Sequence, residues 1–189
     1  MALGSKRPVV TRMAVCVAML MIAVGCGGGG AGPAPLAIGK EAVVDHTQLS
    51  GASPAPTTKL AITVLAVRTG TIAELEAGGF DLSDAQKAKT PTYVDVRFEN
   101  RGTAAIDKHL GVSLEDQDGN LITSVAVINL GGDTYQPCPD NGGSGSLAPG
   151  EKFDTCDLFL VPSGKTASKV SFLPNTPGKA TDFIYWSVR

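Results

Sequence analysis

The sequence predicts an all-β fold, an antiparallel β-sandwich with a short helical insertion after its first strand. Three observations predict it. Short apolar runs, several of them alternating apolar and polar, succeed one another between turns rich in Gly and Pro, of which the 189 residues hold 23 and 12. Only one stretch has the chemistry of a helix. Two cysteines late in the chain stand where a structural bridge would serve a sandwich that has few aromatics, 5% of residues, and so a mainly aliphatic core. The folded part is expected over residues 59–189, an ordinary domain size.

The first strand is read over Leu60 to Val67, where Leu60, Ile62, Val64 and Ala66 alternate with Ala61, Thr63, Leu65 and Val67 before Thr69-Gly70 ends the run. The helical stretch is Ile72 to Lys89. Ser83 and Gln86 make a capping box there, and Thr90-Pro91 closes it because a residue before proline disfavours the helical region. Phe80 and Leu82 are expected to pin this insertion to the sandwich, with Glu74, Glu76, Asp81 and Asp84 on its solvated face. Tyr93 to Glu99 is the cleanest strand, with Val94, Val96 and Phe98 on one side and Asp95, Arg97 and Glu99 on the other. Val112–Glu115 and Leu121–Val125 form a hairpin across Asp116-Gln117-Asp118-Gly119-Asn120, since Asp-Gly tolerates positive φ. The same residues imitate a calcium loop, but Leu114 stands where that pattern needs a ligand, so no metal is expected. Leu130 to Gly150 reads as a long polar loop. Lys152 to Val161, Val170 to Leu173 and Phe183 to Val188 complete the strands, with Trp186 at the edge of the core.

Upstream the chain changes character. Lys6, Arg7 and Arg12 precede the apolar stretch Met13–Val24, the pattern of a secretory signal over residues 1–25; the stretch falls short of the ~20 apolar residues that a transmembrane helix needs. Ala23-Val24-Gly25-Cys26 resembles the lipobox of bacterial lipoproteins, departing from it at Ala23, where Leu is usual. That resemblance implies cleavage before Cys26, a diacylglyceryl lipid on its thiol, and the membrane as a partner through that lipid, with the chain on the extracytoplasmic face of the cell membrane. Two acyl chains suffice for stable anchoring where one does not. Free secretion after cleavage is the alternative. Residues 26–58, dominated by Gly, Ala, Pro and Ser, are expected to form a flexible tether, interrupted by Ala42-Val43-Val44 and carrying an exposed His46.

Cysteine usage follows the same logic. Cys16 leaves with the signal and Cys26 takes the lipid, so Cys138 and Cys156 remain as a disulfide pair outside the cytoplasm. Its loop is worth about 3 kcal/mol by chain entropy. A redox centre would use Cys-x-x-Cys, and a metal site would need further ligands beside the pair. Removing the three cations of the signal deepens a formal net charge that is already −2, which argues against nucleic acid, whose binding calls for a basic patch.

Tyr93-Val94-Asp95-Val96 leading to Glu99-Asn100-Arg101-Gly102, then Leu114 to Leu121 around Asp118-Gly119, then Leu147-Ala148-Pro149-Gly150-Glu151 and Leu160-Val161-Pro162-Ser163-Gly164, form an ordered series. The series resembles the telokin-like, immunoglobulin-like extracellular domains of Gram-positive lipoproteins, over roughly Leu60 to Val188. What the resemblance implies is an immunoglobulin-like sandwich outside the cell, with no shared catalytic set and no cofactor.

No hydrolase elbow, zinc-protease motif, phosphate loop or dinucleotide fingerprint occurs, and His109 is the one histidine of the expected folded part. An enzyme is therefore not expected. The expected role is a non-catalytic binding or interaction module at the cell surface, its partner an extracellular protein. The loop Leu130 to Pro149, braced through Cys138, is the candidate surface, with Asp133, Tyr135, Asp140 and Asn141 as the candidate contact residues. The alternatives are a passive structural component of the envelope and, behind it, an exported enzyme inhibitor or a small-ligand carrier.

Overall fold

Alternation along the chain becomes two facing sheets. A computed structural model describes residues 34–48, 57–125, 135–139, 145–175 and 183–188, all within the unit Ala31–Arg189. In chain order the elements are β1 (Leu36–Ala37), β2 (Glu41–Thr47), β3 (Thr57–Thr69), α1 (Ile72–Ala77), α2 (Asp84–Lys87), β4 (Thr90–Asn100) and β5 (Ile106–Asp107). They continue with β6 (Ser113–Asp116), β7 (Leu121–Ile122), β8 (Ser124–Val125), β9 (Ser146–Leu147), β10 (Lys152–Val161), β11 (Ala167–Phe172) and β12 (Ile184–Ser187). One sheet has the order β1-β12-β11-β6-β7, the other β2-β3-β4-β10-β8, and β5 with β9 makes a small ribbon. Among the described residues only β1 pairs in parallel, along β12. The fold is the expected immunoglobulin-like antiparallel β-sandwich with its short helical insertion.

The main core lies between the sheets. Leu60, Ile62, Val64, Val94, Val96, Phe98, Phe159 and Val161 from one side meet Leu114, Val170, Phe172 and Trp186 from the other. The faces of β4 fall as its alternation predicts. β3 departs from simple alternation after Val64, where a bulge at Leu65 shifts the register so that Val64 opposes Val96 but Ala66 opposes Asp95. An extra residue reverses which side chains face inward. Val67, expected outside, therefore packs on the core, and Arg68, which unbroken alternation would aim inward, emerges on the outer face beside Asp95.

Several expectations need correction. The sandwich begins upstream of residue 59: all seven residues of β2 pair with β3, from Glu41–Thr63 to Thr47–Thr57. The helical insertion accordingly follows β3, the third strand among the described residues, rather than the first. Pairing offers β2 the ladder hydrogen bonds that a tether would leave to water, and Ala42 and Val44 pack against the core. His46 is buried, with its ring 5.9 Å from that of Phe172, and burial lowers its pKa because the charged form loses solvation. Trp186 is fully buried, its indole Nε1 donating to the Lys40 carbonyl at 2.7 Å, so it ties β12 to the turn before β2. Leu121–Val125 is two strands rather than one: β7 pairs with β6, and beyond Thr123 the chain changes sheets so that β8 pairs with β10.

The turn residues of the ordered series prove structural. Asn100 is fully buried, and its amide nitrogen donates to Ala104 O and Leu147 O while its oxygen accepts from Thr58 Oγ1 and Gly102 N. Its backbone exchanges bonds with Gly150 and Glu151. A Cβ on Gly102 would overlap Thr58, so only glycine fits that corner. At the opposite end Asp116 accepts from the backbone of Asp118 and Asn120 and from the Asn120 side chain, closing the hairpin turn as a hydrogen-bonded loop.

Candidate functional site

Side chains on the outer face of the β2-to-β8 sheet build a second, smaller core. β10 splits its residues between the two: Phe159 and Val161 point into the sandwich, while Cys156, Leu158 and Leu160 point outward. The outward set meets Tyr93 of β4, Leu75 of α1, Leu82 and, from the long loop, Tyr135 and Cys138.

The insertion lies on this face because of its local chemistry. α1 begins at a capping box in which Thr71 Oγ1 accepts from Glu74 N and Glu74 Oε2 accepts from Thr71 N. The pattern Thr-x-x-Glu before Leu75 is a sequence signal of that start, and it complements the Ser83–Gln86 box of α2. Two glycines bracket α1, and each yields space to an aromatic. A Cβ at Gly70 would run into the Tyr93 ring, and one at Gly78 into the Tyr135 ring. Phe80 and Leu82 do pin the insertion, Phe80 by an edge-on contact with Tyr135 at 5.0 Å. Of the acidic residues, Glu74 is committed to the cap and Glu76 to an ion pair with Lys87 at 2.8 Å.

The long loop is clamped to this face at three points. Cys138 and Cys156 form the expected disulfide, with Cα atoms 5.3 Å apart and a sequence separation of 18. Tyr135 and Tyr93 share a hydroxyl–hydroxyl bond of 2.6 Å, and burial with that bond holds the Tyr135 pKa above its ordinary value. Arg68, brought outward by the bulge, makes a bidentate pair with Asp95 at 2.7 and 2.8 Å and donates from Nη2 to Pro137 O at 2.9 Å. Its guanidinium also lies 5.2 Å from the centre of the Tyr93 ring. Asp95 and its hydrogen bond raise the already high Arg68 pKa, so the cation is permanent. Both cysteines are buried, 2% and 4% exposed, which keeps reductants from the bridge.

The candidate contact residues thus separate. Tyr135 is 5% exposed and belongs to the clamp, not to a presented surface; an aromatic in a polar loop answers to packing when a matching apolar face lies under it. Asp133, Asp140 and Asn141 lie outside the described residues, as does Cys26. Arg68, Asp95 and Tyr93 are the members that sequence reasoning missed. Their signal was hidden, since the bulge that brings Arg68 to Asp95 leaves no mark in the hydrophobic pattern. His109 is exposed. Among the described residues no helix is long and apolar enough to cross a membrane, and no group of three or more His, Cys, Asp or Glu side chains is placed to hold a metal.

No protein-family model matches the chain, and no curated protein matches its sequence. Among solved structures it is similar to MPT63, a secreted protein from Mycobacterium tuberculosis, with a TM-score of 0.50 and 14% identity over 82% of this chain and 97% of that one. It is also similar to the yjhA protein from Bacillus subtilis, with a TM-score of 0.49 and 16% identity over 82% of this chain and 99% of that one. The likeness to MPT63 is one of fold, a β-sandwich over nearly the whole of the smaller protein.

Proposed function

We propose that this protein is a non-catalytic binding module held on the extracytoplasmic face of the cell membrane by a lipid on Cys26. The signal pattern and lipobox-like cysteine support the anchor, and the buried disulfide suits an oxidising compartment. The secreted standing of MPT63 accords with the same placement. The observation that carries the binding role is the clamp. Disulfide, tyrosine pair and Arg68 fix residues 135–138 of the candidate loop to β10, β4 and β3. Recognition gains from such preorganisation because less ordering entropy is lost on binding.

Two measurements test this reading. The intact mass of the membrane-fraction protein should correspond to Cys26–Arg189 plus diacylglycerol; an unmodified mass removes the anchor. A photo-crosslinking residue at Asp133, Asp140 or Asn141 should give a discrete protein adduct in cells that weakens when Cys138 and Cys156 are both replaced by Ser. Adducts no stronger than those from Gln117, on the Asp116–Asn120 turn, would remove the loop as the binding surface.

A further inference from the structure

The strands found inside the expected tether shorten it and fix which way it leaves the domain. Only the nine residues Gly27 to Pro35 separate Cys26 from β1. Ten steps of chain reach at most about 35 Å when fully extended.

The direction follows from register. β1 runs parallel to β12, with Leu36 opposite Trp186 and Ala37 opposite Ser187. Chain preceding Leu36 therefore heads toward the start of β12, where Ile184 pairs with Phe172 and Leu173 and Phe183 lie just beyond. The end of β2 is there too, because Thr47 N donates to Asn175 O at 2.7 Å. So are the Thr47–Thr57 pair and the Asn100 corner, one end of the β2–β3–β4 ladder. At the other end lie Thr69 opposite Thr92, Val161 opposite Thr90 and the Asp116 turn opposite Ala167, with the helical insertion leaving from Thr69. Leu36 sits two residues in from the near end, and those residues use about 7 Å of the tether. What remains reaches at most about 28 Å, less than the ~37 Å length of an eleven-residue strand such as β4.

We infer that the end of the sandwich carrying Leu173, Phe183, Asn175 and Gln48 rests on the lipid headgroups, while the helical insertion and the Asp116–Asn120 turn face away from the membrane. The inference rests on the lipid-anchor reading above. One further feature suits that placement: Tyr185, its ring centre 6.0 Å from that of Phe183 near this end, is of a residue type favoured at the headgroup level.

The test is energy transfer from a fluorophore on the full lipidated protein to an acceptor lipid in phosphatidylcholine–phosphatidylglycerol vesicles. An azide-bearing residue replaces Leu173 at the near end or the exposed Ala85 of α2 at the far end and is coupled to the dye. Transfer should be several-fold stronger from position 173 than from position 85. Inserting a Gly/Ser segment of about twenty residues after Ala31 should shrink that contrast by lengthening the tether. Equal transfer from both positions, in protein whose mass shows the lipid, overturns the orientation and leaves the anchor standing. A mass without the lipid overturns both.

Discussion

The two cores of this molecule are built by different means. The main core joins long strands whose apolar residues recur at every second position, and its members need nothing but pairing and burial to find one another. The outer layer gathers a helical turn, a loop and strand residues from the reverse face of β4 and β10, and it is held by a covalent bond, a tyrosine pair and an arginine. A periodic core is redundant, because each contact is backed by its neighbours along the strand. The outer layer has few members, each of a different kind, and removing one bond releases a segment. That contrast predicts that the first region sets global stability and the second sets the order of the loop.

The largest effect should come from Phe98→Ala. Phe98 is fully buried and lies within 5.5 Å of Phe153 and 5.9 Å of Phe172, ring centre to ring centre, bridging both sheets. Truncation of such a ring costs about 3–5 kcal/mol, read as a lower midpoint in denaturant with one cooperative transition. If Phe98→Ala lost only the protection of residues 72–87 and left β3 and β4 intact, the main core would not be the seat of stability.

Replacing Cys138 and Cys156 together by Ser should cost less, within the range of about 2–5 kcal/mol for a native bridge, and should act locally. Amide exchange should rise first at residues 135–138 and across α1 and α2, while the β3–β4 ladder keeps its protection. Uniform loss across the domain would merge the two regions into one cooperative unit.

Legibility in the sequence divides along the same line. Period-two patterning marked β3 and β4, apolar runs between turns marked β10 and β12, and Asp-Gly marked the hairpin, because each of these signals is local. Cys138 and Cys156 were legible as a pair by elimination of the other cysteines. What escaped was whatever depends on a distant partner. Ala42-Val43-Val44 looks weak alone and becomes β2 only because β3 offers a complementary edge. Tyr135 looks like a surface aromatic until Tyr93, Phe80 and the space left by Gly78 are placed around it. The bulge at Leu65 is a packing decision made between β3 and β4, and it alone delivers Arg68 to the clamp.

The smallest change, and the only one in the stabilising direction, is expected where the two regions meet on β10. Cys156 faces the outer layer, and its neighbour Asp157 turns the other way, 8% exposed, accepting a hydrogen bond from Val112 N at 3.1 Å. Burial raises the Asp157 pKa, and the Val112 N–H only partly opposes it. The folded state therefore binds the proton more tightly than the unfolded chain does. Between the unfolded value, about 3.9, and the raised folded one, stability falls as pH rises, and the deficit persists at neutral pH. Asp157→Asn keeps an oxygen for Val112 N and removes the buried charge, so its melting temperature should exceed that of the parent at pH 7. The difference should vanish below about pH 3, where both side chains are neutral. A variant less stable than the parent at pH 7 would mean that the carboxylate is satisfied in the folded state, and that the interior of the sandwich, like its outer layer, is held by specific polar bonds as much as by apolar burial.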